Sequence, residues 1–307
     1  MLNNFISLRY LSKVKIDGLL VLTREIKSFP HKYENKLKNK TVALLFQKPS
    51  LRTKTSFCLA TSQLGGNYIY FSPEEVNLGK RESIVDVART LSRYVNCVVL
   101  RTFSHKVITK FVSASTIPVI NGLSDLLHPC QVLGDLFTLY ELGRDVRKIK
   151  FVYIGDGNNV CHSFIYAFSI VGGNLTVITP KKYEPNQRIL KEARDFAKIS
   201  GAKLEILNNP QEGIKNADVV YTDVWVSMGK EEEEAERMKA FEKFQVNREI
   251  MQLAKKDCLV MHCLPAHRGQ EITSDVLDSK NSIVFLQVEN RLHTAKAILI
   301  SLLGGEG

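Results

Sequence analysis

Short apolar runs alternate along the chain with longer stretches whose apolar positions recur every three or four residues. This alternation predicts parallel sheets with crossover helices. In the first half the strand candidates are Thr41–Phe46, Tyr68–Phe71, Cys97–Leu100 and Pro118–Ile120, separated by helical stretches at Thr53–Leu64, Arg81–Tyr94 and His105–Val112. Each run is rich in Val, Ile, Leu or Tyr, as a buried strand is. A longer apolar-periodic stretch, Cys130–Leu142, ends at Gly143, a helix stop. After the charged segment Arg144–Lys150 a second alternation begins, with strands expected at Phe151–Ile154, Leu175–Thr179, Leu204–Leu207, Val219–Tyr221 and Leu259–Met261. The expected fold is therefore α/β, with two domains, each a mostly parallel sheet flanked by helices, joined by the helix Cys130–Leu142. The domains are expected at 1–132 and 133–287, with about 288–307 docking back on the first through the apolar run Thr294–Leu303. Glu231–Lys243 is acidic first and mixed later, the charge order that a helix macrodipole favours, and it reads as a solvated helix face.

Composition narrows the function classes. The chain has 307 residues, 44% hydrophobic and 24% charged, which fits a globular protein of about two domains. No segment approaches the ~18 uninterrupted apolar residues of a membrane helix, and the N-terminus lacks the small-residue cleavage site of a secretory signal. The net charge of +10 is unevenly spread. Residues 1–150 carry 23 basic against 11 acidic side chains, +12, and residues 151–307 carry 19 against 21, −2. An anion is thus expected to be handled mainly by the first domain. Nucleic acid is the rival partner, but zinc-finger spacing, an RRM signature and dense basic tracts with interleaved aromatics are all missing. The six cysteines form no CxxC pair and read as reduced cytosolic thiols, so the protein is expected in the cytoplasm, with no membrane partner.

Chemistry is expected where strands end. The loop Gln47–Phe57 follows a strand and opens a helix, and it offers hydroxyls at Ser50, Thr53 and Thr55 with cations at Arg52 and Lys54. Hydroxyls, guanidinium and free helix N–H groups are what a phosphate requires. A capped helix with a solvated basic rim explains the same residues equally well. Arg101, in Leu100-Arg101-Thr102-Phe103, ends another strand and points to the same crevice. His128, in His128-Pro129-Cys130-Gln131, precedes the bridging helix, with Pro129 suited to its first turn. Alone, such a histidine is more often structural.

In the second half, Gly155-Asp156-Gly157-Asn158-Asn159-Val160 resembles a dinucleotide fingerprint, but Val160 stands in place of the third glycine and the next strand lacks an acid for a ribose. A site for a small polar ligand is the better reading. Thr222-Asp223-Val224-Trp225-Val226-Ser227-Met228-Gly229 holds the single tryptophan. Met261-His262-Cys263-Leu264-Pro265-Ala266-His267 could suggest zinc, yet no second ligand pair has the spacing of a structural site. A polar contact or tuned proton acceptor at Cys263 fits better.

Taken together these segments are similar to those of the ornithine carbamoyltransferases, and the match runs essentially end to end. The superfamily pattern Ser-Thr-Arg-Thr-Arg is met by Ser50-Leu51-Arg52-Thr53-Lys54, the Arg-Thr strand end by Arg101-Thr102, and His-Pro-x-Gln by His128–Gln131. The ornithine branch is marked by Asp-x-Trp-x-Ser-Met-Gly and His-Cys-Leu-Pro, met by Asp223–Gly229 and His262–Pro265. The resemblance implies transfer of a carbamoyl group from carbamoyl phosphate to L-ornithine, giving L-citrulline and phosphate, with no cofactor and no metal. It implies that Ser50, the Leu51 backbone, Arg52 and Thr53 hold the phosphate, that Arg101 bridges phosphate and carbonyl oxygen, that His128 donates to that oxygen, and that Gln131 accepts from the carbamoyl amide. Asn159 would take the ornithine α-carboxylate, with Asp223, Ser227 and Met228 around the amino groups. Cys263 and Leu264 would sit beside the reacting nitrogen, and Arg291 would close on carbamoyl phosphate. Arg101, His128, Asp223 and Cys263 are then the groups that act on the reacting atoms.

Four positions depart from the family pattern. Leu51 replaces the common Thr, Lys54 the usual Arg, Cys58 a Glu, and Asn77 a Gln in a loop that in the family reaches a neighbouring subunit's site. A homotrimer or a multiple of trimers is expected by the same resemblance. Related acceptors such as N-acetylornithine, putrescine or aspartate, a nucleic-acid-binding role for the basic half, and a non-catalytic relative are the competing readings.

Overall fold

The computed structural model describes residues 2–226 and 231–304. The chain folds into two compact units, Met1–Phe137 with Glu289–Gly307, and Thr138–Val288.

In the first unit, α1 (Lys13–Ser28) precedes β1 (Thr41–Phe46), α2 (Leu51–Gln63), β2 (Asn67–Phe71), α3 (Ile84–Tyr94), β3 (Cys97–Arg101), α4 (His105–Ala114), β4 (Val119–Leu123) and α5 (Pro129–Glu141). The strands form one parallel sheet in the order β2-β1-β3-β4. Ala43, Leu45, Val98 and Leu100 pack from this sheet against Val87, Ala88 and Leu91 of α3 and Ile108 and Phe111 of α4. The apolar pattern misses α1, whose buried residues Ile16, Leu19, Leu20, Thr23 and Ile26 have helical spacing but are interleaved with charges. It also ends β4 too early. The strand runs on to Leu123 because Phe5 pairs beside Ile120 and accepts from the Asn121 N–H at 2.9 Å, so polar residues continue the ladder.

In the second unit follow β5 (Phe151–Ile154), α6 (Asn159–Val171), β6 (Asn174–Ile178), α7 (Gln187–Ser200), β7 (Lys203–Leu207), β8 (Val219–Thr222), α8 (Glu234–Phe241), β9 (Leu259–His262) and the start of α9 (Val284–Leu303). The sheet is parallel, ordered β7-β6-β5-β8-β9. Every residue of α6 from Val160 to Val171 is buried, so this helix is enclosed all round, His162, Ser163 and Ser169 included. Phe164 and Phe168 lie 5.0 and 4.8 Å from the Phe151 ring, and Trp225, Phe241 and Phe244 fill a further core cluster. The segment Glu231–Lys243 is not one solvated helix. Within it α8 buries Phe241 and Arg237, while its acidic start, Lys239, Glu242 and Lys243 face water. Among the described residues no helix is long and apolar enough to cross a membrane.

Candidate active site

Each sheet contains one point where the strand order reverses. From β1 the chain moves outward to β2 and then returns to place β3 on the other side. From β5 it runs to β6 and β7 before β8 lands on the opposite flank. Open α/β sheets bind ligands just beyond the strand ends at such points. The loops there are 47–50 and 102–104 in the first unit, and 155–158 and 223–226 in the second. Of the charged and amide side chains singled out from sequence, Arg52, Lys54, Arg101, Asn159 and Asp223 lie in or beside these loops, whereas Asn77, Gln131 and Arg291 come from other elements.

In the first unit the loop after β1 turns directly into α2. Ser50 is the N-cap, with extended backbone, and its Oγ accepts from the Thr53 N–H at 3.2 Å. The first N–H groups of α2 carry the positive end of the helix dipole to the same spot. Thr53 is buried, and its hydroxyl accepts from the Arg291 guanidinium of α9 at 2.9 Å. Two glycines make this packing possible. A Cβ at Gly122 would lie 3.2 Å from the Thr53 methyl, and one at Gly134 would lie 3.2 Å from Cγ of Arg291. Leu51, by contrast, is 75% exposed, so at this position only the backbone remains for a ligand.

Cations dominate the field here. Burial, reinforced by the positive charges of Arg291 and Arg52, pulls the Arg101 guanidinium down to about 10. Its Nε is buried and has no hydrogen-bond partner among the described residues. His128 is buried beside Arg291, Arg101 and Lys48. Burial first, then those charges, hold its imidazole far below its ordinary value, so at neutral pH it is uncharged. Lys48 is itself buried, with its ammonium 5.0 Å from the Phe103 ring centroid. Gln131 lies in the first turn of α5. Its Nε2 donates to Asp135 at 3.0 Å, which leaves the buried Oε1 without a partner among the described residues.

Asn77 is exposed and left-handed (φ 45°), at the end of a single helical turn, Pro73–Val76. Its loop is tied down by Gln47. The Gln47 amide donates from Nε2 to the Leu78 carbonyl at 3.0 Å and accepts at Oε1 from the Phe103 N–H at 3.1 Å. One side chain thus joins the loops after β1, after β3 and before α3.

In the second unit Asp223 is buried at the end of β8 and collects three donors. Oδ2 accepts from Nδ2 of Asn158 at 2.7 Å; Oδ1 accepts from the Val224 N–H at 2.8 Å and from the Cys263 thiol at 2.8 Å. Asn158 also caps α6, accepting from the N–H groups of Val160 and Cys161, so Asn159 begins that helix half-buried. Gly157 is required by crowding, since a Cβ there would meet the Pro185 nitrogen at 2.4 Å. Leu264 is held at φ 55° while its N–H donates to Nδ1 of His262 at 2.8 Å. The His262 Nε2 therefore carries the proton and donates to Glu271, 3.1 Å away, with both side chains fully buried. Ser227 and Met228 lie outside the described residues.

Residues 3–141 match the family described as aspartate/ornithine carbamoyltransferase, carbamoyl-P binding domain, and residues 147–302 match aspartate/ornithine carbamoyltransferase, Asp/Orn binding domain. The chain belongs to the aspartate/ornithine carbamoyltransferase family. It is 47% identical to the ornithine carbamoyltransferase of Archaeoglobus fulgidus over 307 residues, 99% of each chain. Among solved structures, ornithine carbamoyltransferase from Pyrococcus furiosus superposes with a TM-score of 0.96 at 44% identity, covering 99% of this chain and 98% of that one. The anabolic ornithine carbamoyltransferase from Campylobacter jejuni does so with 0.94 at 38%, covering 98% and 99%.

Within this carbamoyltransferase, Ser50, Arg52, Thr53, Arg101, His128 and Arg291 are linked by hydrogen bonds or mutual charge effects, and Asp223 and Cys263 by a direct bond. Leu264 adjoins Cys263 in sequence, Asn159 adjoins Asn158, and Gln131 and Asn77 stand nearby in sequence or through Gln47. Lys48, Gln47 and Asn158 all sit inside segments that the sequence singles out, Asn158 in the one read as a small-ligand site, but no particular role attaches to them there. Their roles come from burial and pairing, for which a linear pattern carries no signal. The same holds for Glu271 and Arg237, which no linear motif marks.

Proposed function

We propose that the chain transfers the carbamoyl group of carbamoyl phosphate to the δ-amine of L-ornithine, releasing L-citrulline and phosphate. The observation that carries this reading is the field of the first unit's site: Arg101, Arg291 and Lys48 crowd a neutral His128, and Arg52, in the first turn of α2, adds its charge beside Arg101. Such a concentration of positive charge is costly alone and favourable around a dianion. Ser50, the Leu51 and Arg52 backbone, Arg52 and Thr53 hold the phosphate, with Arg291 donating from α9. Arg101 and the N–H of neutral His128 face the carbonyl oxygen, where negative charge grows as the amine attacks. Preorganised donors of this kind usually make the largest single contribution to catalysis. Gln131 offers its Oε1 to the carbamoyl amide, and Asn77 contributes from its loop.

The acceptor is recognised by the second unit. Asn159 takes the α-carboxylate, and Asp223, Ser227 and Met228 surround the amino groups. The reacting nitrogen must be neutral, so Asp223, Cys263 and the Leu264 carbonyl orient it and favour its loss of a proton, which phosphate can finally accept. Collapse of the tetrahedral intermediate expels phosphate, a good leaving group, without a covalent enzyme intermediate.

The direction of use is arginine biosynthesis, supported by a 48% identical anabolic relative from Pyrococcus furiosus, with arginine breakdown as the alternative that the same site allows; six cysteines outside any disulfide support a cytoplasmic location. The working assembly is a homotrimer or a multiple of it. The edge strand β2 supports this, since Tyr68 and Ile69 are about half exposed on a strand that, among the described residues, is paired on one side only. The deciding experiment incubates purified protein with carbamoyl phosphate and ornithine, then with N-acetylornithine, putrescine or aspartate as competitors. Citrulline formation that these amines barely inhibit, and that falls about 10²–10³-fold in Arg52→Ala, is the expected result. Turnover of another acceptor in preference to ornithine would overturn it.

A further inference from the structure

The acceptor half-site rests on a guanidinium that the reaction itself does not use. Arg237 lies on α8, in the most acidic stretch of the chain, yet its side chain is only 3% exposed. A buried guanidinium persists only where its donors are matched. Here Nη1 lies 3.0 Å from Oδ2 of Asp156 and donates to the Trp225 carbonyl at 3.0 Å, Nε donates to Glu233 at 2.7 Å, and the group sits 4.9 Å from the Tyr183 ring centroid. Each partner belongs to a loop that matters. Asp156 is two residues before Asn158, the amide that binds Asp223, and its carbonyl accepts from the Tyr153 hydroxyl at 3.0 Å. Trp225 is two residues after Asp223, and its ring stacks on Phe241 at 5.9 Å. The Tyr183 carbonyl accepts from the Gly157 N–H at 2.9 Å. Trp225 and Glu233 also flank the segment that carries Ser227 and Met228.

We infer that Arg237 is a positioning residue for the amino-acid acceptor: it sets the spacing between the loop bearing Asn158 and Asn159 and the loop bearing Asp223. This rests on the assignment of the second unit's site to ornithine. Geometry explains why arginine is needed. Two nitrogens of one planar fork serve three partners, Nη1 facing Asp156 and the Trp225 carbonyl and Nε facing Glu233, and a single lysine ammonium cannot reproduce that spread. The loops would then be held by fewer ties, and a shift of about 1 Å at a substrate-positioning group costs up to about 10²-fold.

The test uses Arg237→Lys, with Asp156→Asn/Arg237→Gln as a second variant in which no buried charge is left without its counterpart. Steady-state citrulline formation gives separate KM values for ornithine and carbamoyl phosphate, and a thermal midpoint monitors folding. In both variants the ornithine KM is expected to rise about tenfold or more while the carbamoyl phosphate KM stays within about twofold. An ornithine KM within about twofold of the parent in either variant, or an equal rise for both substrates, overturns the positioning role. Failure of the parent protein itself to form citrulline would instead strike at the acceptor assignment.

Discussion

Removing Arg101 is expected to steady the empty protein while disabling it. The fall of this guanidinium from its ordinary 12.5 to about 10 corresponds to about 3 kcal/mol against its charged form in the ligand-free state. Burial contributes most, followed by the charges of Arg291 and Arg52. The side chain also leaves Nε buried without a partner among the described residues, so truncation there breaks no hydrogen bond. Arg101→Met keeps the apolar stem and deletes the charge. Without ligand the variant is expected to melt at or above the parent temperature, with about 3 kcal/mol as the ceiling on the gain. Phosphate, the product, should raise the parent midpoint through its preferential binding to the folded state, by about 2.7 kcal/mol at a hundredfold excess over Kd. The variant should lose most of that response, and its kcat/KM should fall about 10²–10³-fold. Scanning fluorimetry with and without phosphate, alongside citrulline assays, measures all three quantities. A variant that melts below the parent when empty yet gains as much from phosphate would refute the reasoning, because Arg101 would then be a structural group and not part of an anion site.

Gln47→Glu keeps the acceptor for the Phe103 N–H but faces the Leu78 carbonyl with an oxygen, so the KM for carbamoyl phosphate should rise severalfold; Gln47→Ala should behave similarly, and unchanged KM values in both would dismiss the tie. Gly157→Ala would place a Cβ 2.4 Å from the Pro185 nitrogen and 2.6 Å from the Tyr183 carbonyl oxygen. Backbone atoms cannot swing aside, so a loss of about 1–3 kcal/mol or more in denaturant unfolding is expected, and a neutral result would mean the loops move freely. Burial keeps His128 neutral in the folded state, whereas the unfolded chain takes up that proton as pH drops past about 6.5. Stability should therefore be fully present above about pH 6.5 and decline below it by up to about 1.4 kcal/mol per pH unit for this group. His128→Asn should show a shallower decline between neutral pH and about pH 5.5, and identical slopes would contradict the assigned charge state.

Much of the architecture was legible because strands buried on both faces leave continuous apolar runs. All nine expected strands are present, differing only at their ends. Those ends shift where polar residues still pair, as at Asn121 and Gly122, since the ladder depends on backbone groups and not on side-chain polarity. The site segments were legible for a related reason: loops at strand ends carry hydroxyls, arginines and amides that a core does not need. Ser50 shows this, a cap residue followed at once by Arg52 and Thr53.

What the linear chain determined by itself was the alternation of elements, the kinds of groups available at each strand end and the family they mark. Tertiary structure alone decided which of those groups meet and in what state. Arg237 reads as one more charge on a solvated acidic helix until Asp156, Trp225 and Tyr183, from three distant loops, close around it. His128 reads as an ordinary histidine until burial beside Arg101 and Arg291 removes its charge. Hydrophobic periodicity is a local property that survives in one dimension, whereas desolvation and charge coupling depend on distances that exist only once remote segments have packed together.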